Sequence, residues 1–179
     1  MCNCPPDCQC GTKSNEFVTE MIELWMDHIY LTREFVLETV IKFPHAGSTE
    51  ERLLGNQADL GINFGNLVGN MQLGETFAEL LTQHIIISKE IVLLAIAKKQ
   101  REVEIKFKEW SNNGMEISRF LSEVNPKIDY DIISEMFQEH LQSTFEEADL
   151  VIKGKDSIPK FEEVRSHMIE MVEYLIQTL

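Results

Sequence analysis

The chain has 179 residues, of which 44% are hydrophobic and 26% charged, and it carries a formal net charge of −14 at pH 7. That length suits one domain whose hydrophobic core folds without disulfides or structural metals. Such acidity argues against nucleic-acid binding by phosphate neutralisation and against adsorption to an anionic membrane. Basic partners or metal cations fit the charge better, and the simpler interpretation is a solvated acidic surface that only keeps the protein soluble.

The sequence predicts a cytoplasmic protein. No stretch reaches the roughly 18 consecutive apolar residues that span a bilayer, and the first residues lack the basic and apolar regions of a secretory signal. Disulfides are rare in the cytoplasm, so clustered cysteines there are better interpreted as metal ligands or redox thiols.

All four cysteines lie in residues 1–13, which we expect to be a flexible tail because two prolines and a glycine disfavour a helix. They form two Cys-x-Cys units, Cys2 with Cys4 and Cys8 with Cys10. Four thiolates this close can wrap one soft ion such as Zn(II) or Cu(I). The alternative is a reduced, disordered tail without metal.

From Ser14 onward apolar residues recur every three or four positions, which predicts helices, and no sustained period-two alternation predicts a strand. We expect a first helix from Ser14 to a break at Pro44–Gly47, and a second helix that begins at a capping box, Ser48–Glu51. A third helix should follow a turn at 70–74 and cover about 75–98. The fourth should end near 123, the fifth should cover 129–153, and the sixth should begin after Pro159. We therefore predict an all-α, up-and-down helical bundle over residues 14–179, ferritin-like or related, with six helices in three hairpins.

A short pattern, His-[Ile/Leu]-x-x-[Thr/Ser]-x-Glu, begins at His28, His84 and His140, which are 56 residues apart. This spacing indicates an internal repeat of one hairpin. Because hairpin helices alternate in direction, the three helices that carry the pattern run parallel. We therefore expect the three histidines at one height, close to mid-helix.

Polar residues also occur at that height elsewhere, and a bundle with a dry core would have apolar residues there. The expected polar layer consists of the three histidines with Thr32, Arg33, Asn56, Gln57, Asp59, Ser88, Asn113, Thr144 and His167. An unpaired buried polar group costs about 1–3 kcal/mol, so these groups should meet one another. One interpretation is a structural network in which each histidine bonds the hydroxyl one turn later and Arg33 pairs with Asp59. The other is a site for a metal or small ligand.

Three neutral imidazoles with an open fourth position suit zinc, copper or iron. A carboxylate-bridged di-iron site needs Glu-x-x-His on two helices, and the acids here lie off the histidine face. No Gly-x-Ser-x-Gly, glycine-rich phosphate loop or His-Glu-x-x-His motif points to catalysis. The predicted function is metal binding through the tail, the layer or both. The alternatives are an interaction or stress-related scaffold with a structural layer, alone or as a homo-oligomer, and a metal-dependent enzyme.

Several motifs resemble short helical proteins of Bacillus and relatives that are often labelled acetylglutamate kinase. The resemblance covers about residues 20–150 and is carried by Trp25-x-x-His28-x-x-x-Thr32-Arg33, Arg52-Leu-Leu-x-Asn56-Gln57-x-Asp59, Leu80-Leu-x-x-His84-Ile, Trp110-x-x-Asn113 and Asn125-Pro126. It implies a helical protein without a known activity. The kinase label does not fit this chain, because amino-acid kinases are larger α/β proteins with glycine-rich phosphate loops. The cysteine tail departs from the group, so the resemblance implies no metal role for it.

Overall fold

The computed structural model describes residues 10–178, with side chains from Phe17 onward. Within that range the chain forms six α-helices and no strand, which confirms the predicted all-α bundle. The helices are α1 (Cys10–Ile41), α2 (Ala46–Val68), α3 (Met71–Ile96), α4 (Gln100–Val124), α5 (Tyr130–Ile152) and α6 (Ile158–Thr178). None of the six has the length and apolar character that crossing a membrane requires. The ferritin-like relation stays a prediction.

The first helix starts earlier than predicted. It begins at Cys10 rather than Ser14, because Gly11 is tolerated inside a helix at a cost of about 1 kcal/mol. Cys2, Cys4 and Cys8 lie outside the described residues, so the predicted thiolate site stays a prediction.

Two further helix starts differ from the prediction. The capping box at Ser48 is absent, since α2 begins at Ala46 and its N-cap residue, His45, makes no side-chain capping bond. The backbone has already turned, with the Ser48 amide donating to the His45 carbonyl. At α3 the side chain of Asn70 accepts from the amides of residues 72 and 73, which starts that helix four residues earlier than expected.

The close approach of α2 and α3 depends on glycine. A Cβ atom added at Gly61 would lie 2.6 Å from the carbonyl oxygen of Gly74 and 2.6 Å from Cβ of Ala78. The absence of a side chain at Gly61 therefore lets the backbone of α3 approach α2. Gly74, which we expected in a turn, lies inside α3 and forms the other half of this contact.

The reversal between α3 and α4 occurs where the repeat requires it, although no glycine or proline is present. Lys98 adopts a left-handed conformation with φ of 58°, and its amide donates to the carbonyl of Ala95. In the last connection Gly154 has φ of 64°, and Pro159 stands in the first turn of α6 rather than before it.

Each helix packs against its neighbours in the chain, and α6 returns to pack on α1. Helix α5 also contacts both α1 and α3, whereas α1 and α3 are joined mainly through α2, which packs on both. The three histidine-bearing helices therefore surround the middle of the bundle, with a wider space between α1 and α3 than on either side of α5. The largest apolar cluster lies on the N-terminal side of His28 along α1, around Trp25, Phe64 and Phe77.

Candidate functional site

The three predicted histidines lie side by side in the middle of the bundle. The ring of His140 on α5 has its centroid 6.3 Å from that of His28 on α1 and 6.2 Å from that of His84 on α3. All three side chains are buried. The 56-residue spacing therefore corresponds to one level of the bundle, with His140 between the other two.

At this level the second helix of each hairpin is tied to the first by the same kind of hydrogen bond. In each case a side-chain N–H donates to the backbone carbonyl four residues before the histidine. The three bonds run from Asn56 to Leu24 (2.9 Å), from Asn113 to Leu80 (3.2 Å) and from His167 to Met136 (2.8 Å). They satisfy buried donors and fix the register of all three hairpins, which is a structural role.

The tautomer of one imidazole is defined by its neighbour. The amide nitrogen of Gln57 lies 3.3 Å from Nδ1 of His28, but its two hydrogens have nearer acceptors in the Leu53 carbonyl (2.7 Å) and Oδ1 of Asn56 (3.2 Å), so this contact does not define the tautomer of His28. At His84, Oδ1 of Asn113 lies 2.8 Å from Nδ1 and only accepts. His84 therefore carries its hydrogen on Nδ1 and has an unprotonated Nε2.

The central imidazole lacks such a partner. Gln57 and Asn113 each stand 29 residues after their histidine, whereas the residue 29 positions after His140 is Ile169. Nδ1 of His140 is buried and unpaired. An apolar residue in place of the amide thus leaves the central ring with hydrogen-bonding capacity that no described side chain uses.

The prediction that each histidine bonds the hydroxyl one turn later is wrong. Thr32 donates to the carbonyl of His28 over 2.7 Å, and Ser88 donates to the carbonyl of Ile85 over 2.8 Å. Within a helix these carbonyls are closer to the hydroxyl than a neighbouring ring nitrogen. The hydroxyl of Thr144 is buried without any partner, so a second unpaired group lies one turn after the central histidine.

The prediction that Arg33 pairs with Asp59 is also wrong. Asp59 stands two positions after the buried Gln57, so the helix turns it to solvent, where its carboxylate accepts from Arg52 over 3.1 Å. Asp59 is therefore not part of the layer.

Arg33 instead forms an ion pair with Glu147 inside the bundle. Its Nη1 also lies 3.1 Å from the hydroxyl of Ser157, and its guanidinium carbon lies 4.6 Å from the ring centroid of Phe161. The side chain of Glu147 is only 5% exposed. Burial raises the pKa of this carboxyl, while Arg33 and Ser157 act in the opposite direction.

Glu147 was missed in the sequence, although a signal was present. We considered Glu146, six residues after His140, whereas Glu147 stands seven residues after it and so shares the histidine face. The equivalent repeat positions are Phe35 and Ile91, which belong to the apolar core. An acidic residue at a position that the repeat otherwise fills with apolar side chains was the signal.

Burial keeps the three imidazoles uncharged at neutral pH. It lowers the pKa of His28 to about 3 and that of His84 to about 4, and the hydrogen bond from His84 to Asn113 acts in the opposite direction on the pKa of His84. The pKa of His140 lies well below 6.5 because of burial and of the imidazoles around it. The three imidazoles are therefore neutral hydrogen-bonding groups, and they lie beside the Arg33–Glu147 ion pair, whose two charges cancel.

A small cavity, here called the imidazole cavity, lies among these groups. Its polar lining comes from His28, Thr32, Arg33, His84, Ser88, Trp110, His140, Thr144 and Glu147. The cavity measures about 20 Å³, which is enough for one water molecule. Besides His140 and Thr144, Trp110 contributes an unpaired polar atom, its buried Nε1–H. Trp110 was not assigned to the layer from the sequence.

Among the described side chains, no group of three or more histidines, cysteines, aspartates or glutamates is placed to hold a metal ion. Of the three central histidines, His84 has the arrangement typical of a metal-ligating histidine, with Nδ1–H fixed by an acceptor and no hydrogen bond at Nε2.

Comparison with known proteins adds no assignment, since no protein-family model, curated protein or solved structure matches the chain.

Proposed function

We propose that the protein binds a small, uncharged polar molecule in the imidazole cavity through His140, Thr144 and Trp110. One observation carries this proposal: three residues that line the same cavity each have a buried polar atom without a partner. The large majority of buried side-chain polar atoms in native proteins are hydrogen-bonded, so three unpaired ones around one cavity favour an occupant.

The chemistry of the lining restricts the occupant. The indole N–H of Trp110 only donates, so the molecule must carry an acceptor atom. His140 and Thr144 can each donate or accept, which suits a hydroxyl or carbonyl group. A net charge is disfavoured, because the imidazoles are neutral and Arg33 is already paired with Glu147, so a buried ion would lack a counter-charge.

Acetamide, a small uncharged molecule with a carbonyl oxygen, tests the proposal. The chain has two tryptophans, Trp110 in the cavity lining and Trp25 outside it, and their indole N–H signals are observed separately in ¹⁵N-resolved NMR spectra. We expect acetamide to shift the Trp110 signal saturably and the Trp25 signal much less. Equal or absent shifts would mean that the cavity holds only water.

Two threonine substitutions show whether the binding is specific. Thr144→Val keeps the volume and removes one unpaired hydroxyl, so it should weaken acetamide binding. Thr76→Val alters an exposed threonine on the same protein and should leave binding unchanged. Wild-type affinity in Thr144→Val would contradict the proposed ligand contacts.

Metal binding is a second candidate, because His84 has the fixed Nδ1–H and free Nε2 of a metal ligand. The cysteine tail is a separate proposed site for Zn(II) or Cu(I). Elemental analysis of protein purified without a histidine tag measures any bound Zn, Cu or Fe. Metal that is lost on changing all four cysteines to serine belongs to the tail, and metal that is lost in His84→Leu belongs to the layer. Unchanged metal content in both variants would reject both sites.

A further inference from the structure

A second cavity adjoins the imidazole cavity and differs from it in chemistry. This apolar chamber lies in the space between α1 and α3, and its lining includes Phe35, Val36, Leu53, Leu54, Val92 and Ala148. It exists because α2 holds α1 and α3 apart on that side, whereas α5 packs directly on both.

The two cavities share one wall. Thr32, Ile85, Ser88, Trp110 and Thr144 line both of them. Thr32 and Ser88 have already donated their hydroxyl hydrogens to their own helices. The unpaired groups of Trp110 and Thr144 therefore lie at the boundary between a polar and an apolar space.

We propose that the ligand is amphiphilic, with an uncharged hydroxyl or carbonyl head in the imidazole cavity and a short aliphatic chain in the apolar chamber. This inference rests on the proposed function and adds the class of ligand. The chamber measures about 30 Å³, compared with about 20 Å³ on the polar side, so the aliphatic chain is short.

Two residues that line the chamber, Glu50 on α2 and Lys89 on α3, form an ion pair, with 27% and 36% of their side chains exposed. A partly exposed ion pair is worth little, so its two side chains separate at low cost. Separation of this pair is the proposed entry route to the chamber.

Titration of the intact protein with straight-chain alcohols, from methanol upward, tests the inference. The Trp110 indole signal monitors the binding. Each methylene that enters the chamber should lower the dissociation constant about fourfold, until the chamber is full. Carboxylates of the same chain lengths should bind more weakly, because the charged head has no counter-charge. Tighter binding of the carboxylates would overturn the uncharged head.

Filling the chamber provides the matched variant. Ala148→Leu should abolish the gain per methylene while acetamide still shifts the Trp110 signal, and Ala97→Leu, at an exposed turn, should keep the gain. If Ala148→Leu fails to fold, the chain-length series on the wild type decides alone. Acetamide binding without any gain along the alcohol series would overturn the inference and leave the proposed function standing. Absence of both effects would overturn both.

Discussion

His84 donates its Nδ1 hydrogen to the side-chain oxygen of Asn113 over 2.8 Å, and the same amide donates from its nitrogen to the carbonyl of Leu80. One asparagine thus fixes the tautomer of a buried histidine and the register of the α3–α4 hairpin. His140 has no such partner, and Thr144 and Trp110, which line the same cavity, also carry unpaired polar atoms. The layer therefore combines a hydrogen-bonded frame with a central opening.

The Asn113 amide should be important for stability. Asn113→Leu leaves Nδ1 of His84 and the Leu80 carbonyl without their partner, so we expect a loss of about 1–3 kcal/mol in the free energy of unfolding. Urea denaturation measures it. The neighbouring Asn112 is exposed, and Asn112→Leu should change stability by no more than about 0.5 kcal/mol. Equal effects would show that the amide network is not what the bundle depends on.

Valine substitutions at two threonines of the layer should have different effects on the free energy of unfolding. Thr144→Val removes an unpaired buried hydroxyl and should stabilise the ligand-free protein by up to about 1 kcal/mol. Thr32→Val removes a hydroxyl that is bonded to the His28 carbonyl and should not stabilise it. Thermal and urea unfolding of both variants in ligand-free buffer measure the difference. A destabilised Thr144→Val would mean that this hydroxyl has a partner in solution.

The Arg33–Glu147 pair gives a third prediction. Glu147→Leu strands a largely buried guanidinium and should cost about 3 kcal/mol. The double variant Arg33→Met with Glu147→Leu should recover most of that loss, because both desolvated charges are gone. Glu146→Gln, one residue away on the surface, is the control. A double variant no more stable than the single one would show that the two residues do not act as a pair.

Acid should unfold the protein through its buried histidines. The native pKa values of His28 and His84 lie below the unfolded value of about 6.5, so between these values the unfolded state binds more protons than the native state. Stability is therefore complete above about pH 6.5 and falls as the pH drops, by up to about 1.4 kcal/mol per pH unit for each such histidine. The raised pKa of Glu147 has the opposite sign and offsets part of this.

Unfolding free energies measured between about pH 7 and pH 5 give the slope that checks this prediction. His84→Leu removes one buried imidazole and should reduce the slope, and His45→Leu, at an exposed position, controls for the loss of a histidine as such. A slope that is the same in the wild type and in His84→Leu would contradict burial of His84 in its neutral form.

The helices could be predicted because each has an apolar face of period 3.6 and ends at turn residues such as Gly69 or Pro126. The starts of α2 and α3 were missed by two and four residues, because capping depends on backbone geometry around His45 and Asn70 that periodicity does not contain. The position of the three histidines could also be predicted. Because His28, His84 and His140 are equally spaced in parallel helices, they lie at one level of the bundle, and side-chain contacts are not needed to infer this.

Other features of the site depend on tertiary packing. Arg33 and Glu147 are 114 residues apart, and nothing local in either segment indicates their contact. The imidazole cavity and the apolar chamber depend on the separation of α1 and α3. No pattern in the sequence predicts that separation. By contrast, the missing partner of His140 was visible in the sequence as Ile169, where the repeat has Gln57 and Asn113.

The most direct test of ligand binding at the central histidine is long-range ¹H–¹⁵N NMR of the imidazole nitrogens during a titration with 1-butanol. We predict that the ring nitrogens of His140 shift saturably together with the Trp110 indole. Nδ1 of His84, held by Asn113, should keep its position. Unshifted His140 nitrogens at saturating alcohol, or equal shifts in all the histidines, would contradict a binding site at His140.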